Sequence, residues 1–369
     1  MEALGAVLER LGDPRPYASS RPLTISEVDL DDPGPREILV QIEVAGICHS
    51  DLSVVDGNRP RPVPMLLGHE ASGTVLRTGA DVTEVTPGKR VVMTFLPRCG
   101  VCEGCATEGR RPCIPGTKAN EAGTLLEGGF RLSRDGEQLH HHLGVSGFAT
   151  HAVVDERSVV PVGEDVPADV AALLGCAVLT GGGAVLNVAP PRPGQTVAVV
   201  GLGGVGMAAL LTALATDDVQ VVGVDVSDAK LRTATDLGAH QVMNAGTAAE
   251  EGLAADLVIE AAGNVRAFET AVRLTGPGGT MVTVGLPPAQ ATAAVSPTWL
   301  VGGGRRIVGS YLGSAVPSRD IPRFANLWRA GKLPLEALVS AHISLHDVNH
   351  GMDRLADGAE LRQLIDLRG

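Results

Sequence analysis

Four of the chain's six cysteines crowd into one short stretch, Cys99-x2-Cys102-x2-Cys105-x7-Cys113. A tetrahedral zinc ion takes soft ligands at about 2.3 Å, and turns this close let a single loop supply all four. Gly100, Gly104 and Gly109 give that loop its tight bends, and the spacing differs from those of iron–sulfur clusters. Four thiolates close the coordination shell, so the expected role is structural, pinning a loop without a core of its own. The other two cysteines stand far apart, in Gly46-Ile47-Cys48-His49-Ser50-Asp51 and in Leu174-Gly175-Cys176-Ala177, with Gly68-His69-Glu70 between them. Singly, these read as a buried thiol or a core histidine. Together, two thiolates and one imidazole could hold a zinc ion with one coordination position open to a substrate. Sequence distance leaves open whether the three converge.

A second piece of chemistry lies beyond Cys176. Thr196–Val200 reads as a buried strand, followed by Gly201-Leu202-Gly203-Gly204-Val205-Gly206, an apolar helix over Met207–Thr216, and a second strand over Gln220–Val224 that ends in Asp225. This is the dinucleotide fingerprint in context: Gly201 for the tight turn, Gly203 for close approach to a pyrophosphate, and Gly206 for packing helix on strand. The helix N-terminus would present free N–H groups to the phosphates. Asp225 would accept the adenosine ribose hydroxyls. A 2′-phosphate placed about 4 Å from it would cost on the order of 4 kcal/mol, so NAD is expected rather than NADP. Lys230 follows, and its flexible ammonium could bind the ribose or simply be solvated. Leu257–Glu260 before Ala261-Ala262-Gly263, and Thr280–Val284 before Gly285-Leu286-Pro287, continue the alternation of a doubly wound parallel sheet. Ligands sit at the carboxyl ends of such strands, which makes Val284 and Leu286 cofactor candidates.

The composition narrows what else the chain could do. Its 369 residues carry 30 Lys and Arg against 42 Asp and Glu, a net charge of −12, and only 2% are aromatic. Nothing would offset phosphate repulsion, which excludes nucleic acid and anionic membrane as partners. Val170–Pro191 and Pro193–Thr216 lack charged side chains but are broken by glycines and prolines, so they read as buried core rather than membrane spans. No secretory signal opens the chain, and the expected compartment is the cytoplasm, where thiols stay reduced. His140-His141-His142 is read as loop surface, with His142 a neighbour of the substrate pocket; adjacent histidines on a strand point to opposite faces.

From about Ile38 onward the chain resembles the zinc-dependent alcohol dehydrogenases of the medium-chain dehydrogenase/reductase family. The resemblance rests on Gly46–Asp51, Gly68-His69-Glu70, the Cys99–Cys113 knuckle, Leu174–Thr180 and Gly201–Gly206, in family order. It implies an α/β protein: a β-rich GroES-like catalytic domain over residues 1–177, with the zinc loop at 95–115, a Rossmann NAD-binding domain over 178–307, and a return to the catalytic domain over 308–369. It further implies a catalytic zinc on Cys48, His69 and Cys176, and a structural zinc on Cys99, Cys102, Cys105 and Cys113. Asp51 would orient His69, and Glu70 would sit near the ion. Ser50 would bond the alcohol oxygen and Thr180 the nicotinamide, with His49 and Arg362 facing the pyrophosphate. Phe95 and His142 would line the substrate pocket. One position departs from the family: Ser53 stands where a histidine would finish a proton relay, and a hydroxyl does not titrate near neutrality.

The expected reaction is hydride transfer between a primary or secondary alcohol (or its aldehyde) and NAD, in a homo-oligomer, a dimer ahead of a tetramer. Two other readings remain. A class-III-like dehydrogenase of S-hydroxymethyl thiol adducts would need a cationic site, for which Arg98, Arg110 and Arg111 are candidates. A zinc-bearing, NADH-sensing scaffold would need the knuckle and the glycine loop but not the second ligand set.

Overall fold

The computed structural model describes residues 1–358 and 360–368, which fall into two compact units. One comprises Met1–Cys176, Val316–Ala325 and Val339–Gly369; the other comprises Ala177–Ala315 and Asn326–Leu338.

The first unit is organised by the strand Glu37–Ile47, an almost continuous apolar run buried on both faces except at Gln41 and Glu43. Ala71–Thr78 pairs antiparallel along one side of it, with Ala45 opposite Ala71. Along the other side lie first His151–Asp155 and then Gln363–Asp366, which sets Gln363 opposite Ile47. Arg90–Met93, Val159–Pro161 and Ala341–Ile343 complete a seven-stranded sheet. A second sheet of six strands is built on the antiparallel pair Glu2–Leu8 and Leu23–Leu30. Val7, Leu30 and Leu66 of that sheet share one buried cluster with Leu39 and Val153 of the first. Each such side chain contributes roughly 1.5–3 kcal/mol when fully buried. Three chain segments therefore come to one end of the central strand: Ile47 leads into Cys48, Ala71 follows His69 and Glu70, and Gln363 follows Arg362.

The second unit is a six-stranded parallel sheet. Numbered along the chain, its strands Thr196–Val200, Gln220–Asp225, Gln241–Asn244, Ala255–Glu260, Thr275–Thr283 and Arg306–Gly309 lie in the order third, second, first, fourth, fifth, sixth. That is the doubly wound order of a dinucleotide-binding sheet. The sixth strand pairs with the fifth from Thr280↔Arg306 to Thr283↔Gly309, so this unit runs past residue 307, the end expected from sequence. The helix after the first strand spans Gly204–Leu214 and starts three residues before the expected Met207, because Gly203 is its N-cap and the glycines themselves form the first turn. Among the described residues, no single helix is long and apolar enough to cross a membrane.

Candidate functional site

Cys48 caps the helix His49–Val55 at its N-terminus, and the cap is reciprocal: Asp51 Oδ2 accepts the Cys48 N–H at 2.9 Å. That bond fixes the Asp51 carboxylate, whose Oδ1 lies 2.8 Å from His69 Nδ1. With Nδ1 so engaged, the imidazole presents Nε2, a buried atom with no hydrogen-bond partner among the described residues. One ring nitrogen of His69 and the sulfurs of Cys48 and Cys176 all lie within 4.8 Å of one another, and all three residues are buried. Cys176 arrives from the other direction, after the buried helix Ala168–Leu174; Gly175, which ends that helix, passes so close to the strand Arg90–Met93 that a Cβ there would lie 2.3 Å from the Met93 carbonyl oxygen. Gly68 is equally constrained, at φ +94°, where a Cβ would lie 2.4 Å from the Phe148 nitrogen. Tetrahedral zinc with Zn–S bonds of about 2.3 Å separates its ligand atoms by roughly 3.8 Å. The orphaned Nε2 between two sulfurs fits such an ion.

Charges around the centre are buried as well. Glu70 is fully buried, its Oε2 is 3.6 Å from Arg362 Nη1, and burial pushes its pKa up to about 7 against the pull of Arg362. A Cβ on Gly46 would lie 2.2 Å from Glu70 Oε1, which explains the glycine opposite it. Arg362 is 3% exposed and donates to the Ile47 carbonyl at 3.1 Å, so it is no solvated surface arginine. A hydrogen bond from the Cys176 thiol draws Cys48 well below its ordinary pKa, and the same contact drives Cys176 up. Burial works against a charged His69, yet Asp51 outweighs it and holds that imidazole well above the usual range. Desolvation raises Asp51 in turn.

The four-cysteine loop is put together differently. Its sulfurs also lie within 4.8 Å of one another, with Cys99 Sγ and Cys105 Sγ 3.9 Å apart, close to a tetrahedral edge. Backbone N–H groups point at them: Cys99 at Cys113 Sγ (3.3 Å), and Cys105 and Ile114 at Cys102 Sγ (both 3.4 Å). Burial alone would raise Cys102, but those two N–H donors bring it down to about 6. Donors aimed at sulfur are what four thiolates on a cation need. The loop also uses the nearby arginines. Arg98 donates to the Gly104 and Cys105 carbonyls, Arg110 to the Thr107 carbonyl, and Arg111 lies 3.9 Å from Glu103.

In the second unit, Gly201 (φ +92°) turns beside Ala262, and a Cβ on Gly206 would lie 1.8 Å from the Gly201 oxygen. Nothing among the described residues crowds Gly203, where a Cβ would meet no atom within 4 Å, so the open face above the loop has room for a ligand. Asp225 closes the second strand and accepts N–H bonds from Leu202 (2.7 Å) and Ser227 (2.9 Å). Gly204 and Val205 form the first helical turn, and Lys230 lies half-buried on the helix Asp228–Asp236. Val284 follows the fifth strand, and Leu286 beyond it is exposed. Thr180 is half-buried on the helix Ala177–Gly183.

His49 is exposed and Ser50 half-buried on the first turn after Cys48, while the Ser53 hydroxyl donates to the His49 carbonyl at 2.7 Å. Phe95 packs edge-on against His69 with ring centroids 5.4 Å apart, and His142 does so from 5.6 Å. The histidine run is not the loop surface expected from sequence. His140–His141 pairs parallel with Met65–Leu66, which draws His141 and His142 to 1% exposure. His141 Nε2 accepts the Arg131 N–H at 3.0 Å, and burial lowers its pKa to about 3. Sequence reasoning passed over Glu260, a buried acid bonded to the loop after its own strand and to Thr283 of the next, because nothing in its local pattern marks it.

Residues 34–164 match the family described as the alcohol dehydrogenase GroES-like domain, and residues 204–329 match the zinc-binding dehydrogenase family. A Mycobacterium tuberculosis protein provisionally named alcohol dehydrogenase D is 38% identical over 359 residues, spanning 95% of this chain and 97% of its own. The NDMA-dependent alcohol dehydrogenase of Amycolatopsis methanolica is 34% identical, over 95% of this chain and 96% of that one. The crystal structure of benzyl alcohol dehydrogenase from Acinetobacter calcoaceticus superposes with a TM-score of 0.90 at 30% identity, covering 99% of both chains. The chain therefore belongs to the zinc-type alcohol dehydrogenases of the medium-chain family, oxidoreductases of alcohols and aldehydes that work with zinc and a nicotinamide cofactor.

Proposed function

We propose that this enzyme oxidises primary alcohols to aldehydes with NAD, holding one catalytic and one structural zinc per chain. The observation that carries the reading is the convergence of Cys48, His69 and Cys176, with Asp51 on the far nitrogen of the imidazole. Bound there, zinc would supply Lewis acidity at its remaining coordination position, and the nicotinamide would accept the hydride. Cys48, His69 and Cys176 would hold the ion, and Asp51 keeps His69 in the tautomer that presents Nε2. Ser50 Oγ would take the proton that the substrate hydroxyl loses. Ser53 does not carry it onward, since its hydroxyl is already donated to a carbonyl; water or His49 completes the path. Glu70 and Arg362 neutralise one another behind the ligands, and Arg362 together with His49 would face the pyrophosphate. Phe95 and His142 shape the substrate side, and Thr180 would steady the nicotinamide.

NAD is preferred over NADP because Asp225 already receives two N–H bonds as a carboxylate, and a 2′-phosphate would meet that charge. We propose a homodimer ahead of a tetramer, in a reducing cytoplasm that suits six free thiols. The thiol-adduct reading loses support, because Arg98, Arg110 and Arg111 all serve the knuckle loop. The scaffold reading has no use for a second ligand set.

The test is a panel of primary alcohols with NAD or NADP, followed at 340 nm. Benzyl alcohol heads the panel, being the substrate in the name of the Acinetobacter relative. NAD-dependent turnover, at least about tenfold above that with NADP, supports the proposal. No turnover of any alcohol or aldehyde, or a preference for NADP, contradicts it.

A further inference from the structure

Glu260 ends the fourth strand of the parallel sheet and is 1% exposed. A carboxylate so buried is costly without partners, and its partners are specific. Oε1 accepts the N–H groups of Ala262 (2.9 Å) and Gly263 (2.8 Å), and Oε2 accepts the Thr283 hydroxyl at 2.6 Å. Its backbone carbonyl accepts the N–H groups of Val284 (2.9 Å) and Gly285 (3.2 Å). One residue thus ties together the two loops that leave the sheet after its fourth and fifth strands. Gly285 makes the room, since a Cβ there would lie 2.7 Å from Oε1 and 2.4 Å from the Gly263 nitrogen. Glu260 also lines a cavity of about 270 Å³, together with Asn264, Phe268, Pro287 and Val295.

Three hydrogen-bond donors converge on this one carboxylate, whose two oxygens accept them all. The first and second strands, with Gly201–Gly206 and Asp225, account for the pyrophosphate and the adenosine ribose. In a sheet of this order the other half of a dinucleotide lies across the switch point, over the fourth and fifth strands. The oxidised nicotinamide ring carries a positive charge there that the reduced ring lacks. We propose that Glu260 is a positioning residue that holds both loops of the nicotinamide half-site, and that its buried charge favours the oxidised over the reduced cofactor. This rests on the dinucleotide reading of the glycine loop given above.

Glu260→Gln tests it with little disturbance. The amide oxygen still accepts from Ala262 and Gly263, and the amide nitrogen can donate to the Thr283 hydroxyl, so only the charge is lost. Affinities of the zinc-loaded enzyme for NAD+ and NADH are measured by titration calorimetry. NAD+ binding is expected to weaken roughly fivefold while NADH stays within about twofold. Glu260→Asp keeps the charge but withdraws it by one methylene, so it should weaken both forms in equal proportion. An unchanged NAD+/NADH affinity ratio in Glu260→Gln, or the same change of ratio in Glu260→Asp, overturns the proposal. Binding of neither form by the unaltered enzyme would instead remove the dinucleotide reading, and this inference with it.

Discussion

The two cysteine sites of the first unit use the same ligand atom and are built by opposite routes. In the knuckle, all four sulfurs come from fifteen consecutive residues, and the supporting groups are backbone N–H donors and carbonyls of the same loop. At the three-ligand centre, Cys48 follows one strand, His69 precedes another and Cys176 follows a helix about a hundred residues further on. What supports it is a set of side chains, Asp51, Glu70 and Arg362, all wholly or almost wholly buried. A locally built site depends on its ion for order, whereas a site assembled by sheet register is held by the surrounding core. The first should fail by unfolding locally, and the second by losing its chemistry.

The sharpest way to break that contrast is His69→Ala. Turnover should fall by about a thousandfold or more, while NADH binding and the thermal midpoint change little. A large stability loss in steady heating experiments would mean that the centre, like the knuckle, is a folding element. Cys105→Ser is the complement: the thermal midpoint should drop by roughly 5 °C, while the enzyme still folded at low temperature keeps its kcat. Gly68→Ala tests the register itself, because a Cβ at φ +94° and 2.4 Å from the Phe148 nitrogen must push His69 out of place. It should cost about 1–3 kcal/mol and weaken zinc retention at the centre but not at the knuckle, as competition with a chromogenic chelator would read.

The smallest effect concerns pH. His141 is held neutral by burial, with a pKa of about 3, whereas the unfolded chain protonates near 6.5. The unfolded state therefore binds the extra proton as pH falls from 6.5 toward 3, and stability is lost over that window. Between pH 7 and pH 5 the loss amounts to about 2 kcal/mol. His141→Gln keeps an acceptor for the Arg131 N–H without the titration, so its thermal midpoint should fall less over the same interval. An equal fall in both proteins would mean that His141 does not stay neutral.

The same contrast explains what could be read from the sequence. The knuckle and the glycine loop are legible because their geometry is local: the spacing of Cys99, Cys102, Cys105 and Cys113 nearly dictates their convergence, and Gly201 and Gly206 each have one steric reason. Cys48, His69 and Cys176 are legible only as residue types, since strand register brings them together and register is not written near any of them. The histidine run misled for that reason too. His141 looks like a polar loop residue until pairing with Met65–Leu66 carries it inside. Glu260 gave no signal because the partners that tie it to the next strand, Thr283 through Gly285, lie more than twenty residues away. The end of the second unit was missed because Arg306–Gly309 is a short strand whose half-buried pattern lacks an apolar run.

The most direct test of the central claim is zinc per chain, measured by plasma mass spectrometry on the purified enzyme and on Cys176→Ser. The enzyme should hold two zinc ions; Cys176→Ser should hold one, stay folded, and turn over no alcohol. One zinc in the unaltered enzyme, or two in an active Cys176→Ser, would contradict it.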